Sequence, residues 1–312
     1  MQQTFVDARP ASATARDPVV ISAPHGGDII PLCFSDRISG CTECDWNSWE
    51  LAEAAWEAFD RPALVGLRLS RLKLDANRAR CFACDDEAAF SVHDEYHSAV
   101  EAACAAAVER FGWCLHLDLH GQSHRPATEL GYLLTSEDFL MEDAALDAAP
   151  RESSVELLLS GPPESGRRRS ALTRGATSLG ALLEARGFPC VPSPRTPAPV
   201  EAAALEAARK AKADIGAAHG PPAEEAAAAT YFWGGYTVRR LGVPASIPPH
   251  CGPLPEPAQG GWARRVASVS LETAWAVREG AADRERFAAA LAEATREFVR
   301  EWSPAPARAS DG

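Results

Sequence analysis

His116-Leu117-Asp118-Leu119-His120-Gly121 is the stretch around which the rest of the chain makes chemical sense. The run Phe111-Gly112-Trp113-Cys114-Leu115 leads into it with the apolar density of a buried strand, and Gly121 ends the strand. Polar atoms then gather at a carboxyl end, the edge of an open α/β sheet where ligands bind. Asp118 and His120 alternate with leucines, so on a strand their side chains leave the same face. A carboxylate so placed can orient or charge-stabilise an imidazole that binds a metal. Core hydrogen bonds that satisfy both groups are the competing reading.

Composition bounds the partners. The 312 residues are 46% hydrophobic and 24% charged, ordinary globular values that leave room for a sizeable core. The net charge of -12, with acids scattered rather than blocked, argues against nucleic acid or an anionic membrane as partner. Residues 1–17 are polar, lack the apolar run of a signal peptide and are expected to be flexible. No later segment has the apolar length to span a bilayer. Nine cysteines, an odd number in a chain too large to need disulfide staples, fit a reducing compartment. A soluble, cytoplasmic protein is expected, with one domain over 18–302 and a flexible tail over 303–312.

Upstream of the central stretch, Val19-Val20-Ile21-Ser22 is a short β-branched strand running into Ala23-Pro24-His25-Gly26-Gly27-Asp28. A histidine at such a turn, with an acid three residues on, can hold a divalent ion. Cys41-Thr42-Glu43-Cys44-Asp45-Trp46 precedes a helix from about Ser48 to Phe59, with Asp45 as a candidate cap. Leu64 to Leu69 reads as the second strand and delivers a dense polar cluster, Ser70 to Arg78. Cys81 and Cys84 complete a second Cys-x-x-Cys pair. Cys41, Cys44, Cys81 and Cys84 could hold a structural Zn2+, although free thiols near a cleft carry more weight. In a helix from about Ala88 to Arg110, His93 and His97 have helical spacing and read as packing or surface, not metal ligands.

Downstream, Gly121 to Pro126 is a polar loop containing His124, and Leu130 to Leu134 is another strand. Gly161-Pro162-Pro163 marks a turn. Ser178 to Arg186 is an amphipathic helix closed by Gly187. A proline-rich excursion over Phe188 to Pro197, an alanine-rich helix over Glu201 to Ala213 and a low-complexity stretch over Ala217 to Ala229 follow. Tyr231 to Arg240 concentrates aromatics, glycines and arginines. Val266 to Glu272 alternates as a strand ending on a carboxylate, and a helix from about Asp283 to Trp302 covers the sheet. No internal repeat interrupts this alternation, so the chain reads as a single α/β domain.

Three features converge: His25 with an acid nearby, His120 at a strand end and Glu272 at another. Two imidazoles and one carboxylate with an open fourth position make a catalytic zinc site. A separate carboxylate beside it can take a proton from acidified water, and Glu272 suits that base role. Arg78, with Arg239 or Arg240, can clamp a substrate carboxylate bidentately. The implied reaction is attack on an amide or acyl carbonyl; no phosphate loop, Gly-x-Ser-x-Gly elbow or cofactor fingerprint competes.

Five motifs occur in order along most of the chain: Ser22-Ala23-Pro24-His25-Gly26-Gly27, Asp75-Ala76-Asn77-Arg78, Asp118-Leu119-His120-Gly121, Gly234-Gly235-Tyr236 and Ser270-Leu271-Glu272. Together with Leu130-Gly131-Tyr132 and Val191-Pro192-Ser193-Pro194, they resemble the N-formylglutamate amidohydrolase family, from about Val19 to Thr273. Each motif is short; the specificity lies in their order and number. The resemblance implies a zinc carboxypeptidase-like, hydrolase-like α/β fold: one domain with a mixed central sheet flanked by helices. It implies hydrolysis of the amide bond in a small carboxylate-bearing N-acyl amino acid such as N-formyl-L-glutamate, with one catalytic Zn2+. His25 and His120 would be ligands, Glu272 the base and Asn77-Arg78 the substrate-carboxylate site. His124, Tyr236 and Arg239 are further candidate substrate contacts. The acidic ligand stays open: Asp28 stands where the carboxypeptidase pattern has its acid, while Asp45, before Trp46, occupies a family-like position. Ser270 stands where an amide side chain is expected. Two other readings remain, a carboxypeptidase-like peptidase or deacylase, and a non-catalytic zinc module built on the four cysteines.

Overall fold

The computed structural model describes residues 4–160, 166–201, 203–204, 231–242 and 261–304. Seven strands form one sheet: β1 (Val6–Arg9), β2 (Val19–Ala23), β3 (Ala63–Leu67), β4 (Cys114–Gln122), β5 (Thr128–Gly131), β6 (Cys190–Val191) and β7 (Val266–Ala274). Their order is β1-β3-β2-β4-β7-β5-β6. The centre is parallel, β3-β2-β4-β7, while β1 adds antiparallel to β3 and β5 antiparallel to β7. This is the mixed sheet flanked by helices that the sequence led us to expect, in a single domain.

Alternation along the strands sends two sets of side chains to two different cores. Ile21, Leu117, Leu119, Val269 and Leu271 pack with the helices Ser48–Ala58 and Ala281–Trp302, through Trp49, Leu51, Phe287, Leu291 and Phe298. On the other face Val20, Val65, Leu67, Cys114 and Val266 meet Val92, Tyr96 and Val100 of the helix Phe90–Phe111. Each fully buried leucine contributes roughly 2 kcal/mol. Along that second face the central strands turn polar toward their carboxyl ends. Ser22 of β2 stands opposite Asp118 of β4; Asp118 and His120 stand opposite Ser270 and Glu272 of β7.

Several boundaries differ from expectation. Val6–Arg9, inside the stretch expected to be flexible, is an edge strand whose pairing covers the open side of β3. Arg9 secures it through Asp7 at 2.8 Å and Glu53 at 2.7 Å. Four residues are too few to show a period. The Leu130–Leu134 strand stops at Gly131, and Leu133 takes a left-handed conformation with φ of 59°. Asp45 does not cap the Ser48–Ala58 helix; Asn47 is the N-cap, and the Asp45 carboxylate is used elsewhere. The expectations for Gly161-Pro162-Pro163, for 205–213 and 217–229, and for 305–312 lie outside the described residues. No described helix is long and apolar enough to cross a membrane.

Gly66 of β3 shows how tightly the first core is closed. A Cβ built there would lie 1.9 Å from the Trp49 ring, which is itself buried. Gly66→Ala should therefore lower unfolding free energy by about 3 kcal/mol, the upper range for overpacking. Equilibrium urea unfolding against the unaltered protein measures it.

Candidate metal centre

His25 leaves the end of β2 on a turn whose two glycines have no room for side chains. A Cβ on Gly26 would meet the Trp49 backbone at 2.5 Å, and one on Gly27 the Arg68 backbone at 2.4 Å. Asp45, at the entrance to the next helix, is pinned to both neighbouring strands. Its N–H donates to the His25 carbonyl at 3.1 Å, and its Oδ2 accepts from the Gly121 N–H at 3.0 Å. His120 ends the polar run of β4. These three side chains, 95 residues apart at their extremes, meet.

The two imidazoles face each other through Nδ1, 3.1 Å apart. Asp45 Oδ2 lies 3.3 Å from His25 Nδ1 and 3.4 Å from His120 Nδ1. A tetrahedral ion with ligand bonds of about 2.0–2.1 Å holds its ligands roughly 3.3 Å apart, so the three atoms fit one small cation. Among the described residues, this is the group of ligand atoms gathered within 4.8 Å of one another.

Both rings are oriented from behind by a carboxylate. His25 Nε2 donates to Asp75 Oδ1 at 2.7 Å, and His120 Nε2 to Asp118 Oδ2 at 3.0 Å. Such partners fix ring orientation and turn each Nδ1 toward the centre. Burial alone raises the pKa of Asp75, but His25, then Arg71 and Arg78, hold it far below the ordinary carboxylate range. Burial likewise opposes the charge on Asp118, and His120 more than offsets it. Asp45 is also held well below its usual value against burial, by His25 and His120.

Glu272 stands next to this group rather than in it. Its Oε1 lies 4.0 Å from His120 Nδ1. Burial, joined by Asp45 and Glu129 against the opposing pull of His120, pushes its carboxyl up to about 7. A cavity of about 600 Å3 opens over the four residues His25, Asp45, Glu272 and Gly121.

The remaining candidates divide. Asn77, Arg78, Tyr236 and Arg239 line the cavity. The Asp75–Arg78 loop is anchored by His97 and His93, which are buried and donate to the Ala76 and Arg78 carbonyls at 2.9 and 3.1 Å. Asn77 Oδ1 accepts from the Thr237 N–H at 3.1 Å. His124 is not in the lining; its Nε2 bonds Glu129 Oε1 at 2.9 Å. Arg240 is taken by Glu101. Asp28 does not reach the imidazoles either: its side chain is 80% exposed and pairs with Arg68 at 3.2 Å. The tight turn at Gly26-Gly27 sends it outward, and Asp45 takes the position between the rings.

The four cysteines do not assemble. Cys41 and Cys81 are exposed, Cys44 Sγ donates to the Gly27 carbonyl at 2.9 Å and Cys84 Sγ to the Asp86 carbonyl at 3.2 Å. Their loops dock instead through Asp85 and Asp86, which accept from the Ile38 and Ser35 N–H groups at 2.8 and 3.0 Å. Sequence reading missed Asp75 as the orienting partner of His25, because nothing local links residues 50 positions apart. It also missed Arg71, whose side chain bridges Asp75 at 3.1 Å and Asp45 at 3.4 Å.

Beneath the centre, His116 is fully buried between two hydroxyls, Ser22 Oγ at 2.8 Å and Ser268 Oγ at 2.7 Å. Ser22 Oγ in turn donates to Asp118 Oδ1 at 2.5 Å. Three strands are thus joined by side chains as well as by backbone.

Neither a protein-family model nor a curated protein matches the sequence. Among solved structures, the chain is similar to an N-formylglutamate amidohydrolase from Ralstonia eutropha, at 16% identity and a TM-score of 0.50, over 96% of this chain and 99% of that one. It also aligns with a gene product from Agrobacterium tumefaciens at 12% identity and a TM-score of 0.48, over 95% and 94% of the two chains. A metallo-carboxypeptidase from Burkholderia cenocepacia aligns at 13% identity and a TM-score of 0.31, over 95% of this chain and 60% of that one. The likeness to the Ralstonia protein is one of fold.

Two measurements test the geometry. Asp45→Ala should weaken Zn2+ binding by at least about 100-fold, since even orienting partners cost 10–100-fold. Asp28→Ala should leave it within about twofold; competition against a chromogenic chelator reads both. The second concerns His116, which burial holds at about 4, below the ordinary 6.5. A depressed histidine contributes stability that is present above pH 6.5 and lost as pH falls through about 4. By pH 4.5 the loss should reach about 2.5 kcal/mol. Urea unfolding at pH 7 and 4.5 should show that His116→Gln removes this part of the acid dependence.

Proposed function

We propose that this protein is a metal-dependent amidohydrolase that cleaves the amide bond of a small carboxylate-bearing N-acyl amino acid, with N-formyl-L-glutamate the first candidate. One Zn2+ would be held by His25, Asp45 and His120. The observation that carries this reading is the meeting of two carboxylate-backed Nδ1 atoms and Asp45 Oδ2 within 3.4 Å, on the wall of a cavity. Three protein ligands leave a tetrahedral ion one open position, the arrangement of catalytic sites. When bound, the ion supplies Lewis acidity toward an amide carbonyl and toward water.

The chain's own residues do the rest. Glu272, 4.0 Å from His120 Nδ1, stands beside the three proposed ligands, where its carboxylate would meet a water at the site. It takes the proton of the attacking water and returns it to the leaving nitrogen. Arg78 offers a guanidinium that is 57% exposed, at the cavity wall. Its planar fork matches the substrate carboxylate, and the two anchored carbonyls of its loop keep it in place. Asn77, held by the Thr237 N–H, presents its amide beside His120, with Nδ2 3.3 Å from Nε2. Tyr236 and Arg239 close the wall from the helix Tyr236–Gly242.

Formate release from N-formyl-L-glutamate by the zinc-loaded protein tests the proposal. Glu272→Gln should keep zinc within about twofold of the unaltered affinity and lower kcat by roughly 100-fold to 10,000-fold, the range for losing a general base. His120→Ala should lose both zinc and turnover. An active Glu272→Gln protein would remove the assigned base.

A further inference from the structure

The cavity over the metal centre is larger and more aromatic than a formylated small amino acid requires. About 600 Å3 lies in the range that encloses drug-sized ligands. Phe82, Tyr231, Phe232, Trp233 and Tyr236 all line it, in a chain that is only 7% aromatic. Two of these rings stand open to water, Phe82 at 61% and Phe232 at 43% exposure. Unfilled, they leave apolar surface hydrated at a cost that an apolar occupant removes.

Phe232 is held in place rather than loose. Its N–H donates to Glu129 Oε2 at 2.9 Å, and Glu129 is fully buried. The other Glu129 oxygen accepts from His124 Nε2, and the His124 ring meets the Phe232 ring edge-on, centroids 5.5 Å apart. On one side Tyr231 donates its hydroxyl to the Leu130 carbonyl at 2.6 Å; on the other the Trp233 carbonyl accepts from the Leu133 N–H at 2.7 Å. A residue whose backbone is anchored on both sides and whose ring has a neighbour at its edge loses less freedom when a ligand covers it.

We propose that Phe82, Phe232 and Trp233 form an apolar subsite that takes an aromatic or branched group of the amide substrate, and that this group decides which amide is cleaved. The inference rests on the amidohydrolase reading. The group belongs to the amino-acid side chain or to the acyl group; its chemistry at the subsite is the same.

The test uses the zinc-loaded protein and its Phe82→Ala and Phe232→Ala variants, assayed with N-formyl-L-glutamate, N-formyl-L-phenylalanine and N-benzoyl-L-glutamate. Calorimetry on zinc-loaded Glu272→Gln measures binding of the same three compounds. One aromatic compound should exceed N-formyl-L-glutamate in kcat/KM by roughly tenfold or more, and bind Glu272→Gln more tightly by a similar factor. Each phenylalanine variant should cut that ratio by about fivefold. A preference for the phenylalanine compound assigns the ring to the amino-acid side, and one for the benzoyl compound to the acyl side. Turnover of N-formyl-L-glutamate without an aromatic advantage, or an advantage untouched by both variants, overturns the subsite and leaves the amidohydrolase reading standing. Failure to cleave any of the three overturns that reading, and equal binding of all three to Glu272→Gln then overturns the subsite as well.

Discussion

Two imidazole nitrogens 3.1 Å apart, each ring backed on its far side by a carboxylate, face one another and a third carboxylate oxygen. Against burial, Asp118, Glu272 and Asp45 raise the His120 pKa well above its ordinary value, so the place favours positive charge. The surroundings supply the means to hold it there: Asp75 and Asp118 behind the rings, Asp45 between them, and a peptide N–H and Arg71 fixing Asp45. The imidazoles are the ligands of choice for a borderline cation, and the carboxylates behind them raise their basicity.

The sheet makes this arrangement affordable in a buried place. A parallel sheet covered on both faces is ordinarily apolar throughout. Here the face toward the Phe90–Phe111 helix changes from Val20, Cys114 and Val266 to Ser22, His116, Asp118, His120, Ser268 and Glu272 along the strands. Such a row is costly unless its members satisfy one another. They do: Ser22, His116, Ser268 and Asp118 share bonds across β2, β4 and β7. The same register that closes the network sets His120 opposite Glu272, so both side chains are placed by one hydrogen-bond ladder.

Around this rigid floor the walls are built from longer-range pieces. The Asp75–Arg78 loop hangs from His93 and His97 on one helix. The aromatic segment beginning at Tyr231 is tied to β5 through Glu129 and Leu130. The two imidazoles sit at or just past strand ends, where geometry is stiff, and the cavity walls are built largely from loops, where side chains vary with least harm to the core.

The sequence by itself determined the central strand, its polar terminus and the alternation that makes one mixed α/β domain. Those are short-range matters of period and composition. It singled out His25, His120 and Glu272, because a polar residue at a strand end is conspicuous against apolar neighbours. It could not choose between Asp28 and Asp45, since sequence distance favoured Asp28 while the Gly26-Gly27 turn throws that side chain into solvent. Nor could it show that Asp75 backs His25, that the cysteine pairs stay apart, or that His124 serves Glu129 rather than the cavity. Each of those was decided by tertiary structure. They depend on which loops the parallel register of β2, β3, β4 and β7 brings to one edge, and contacts across tens of residues leave no local period to read.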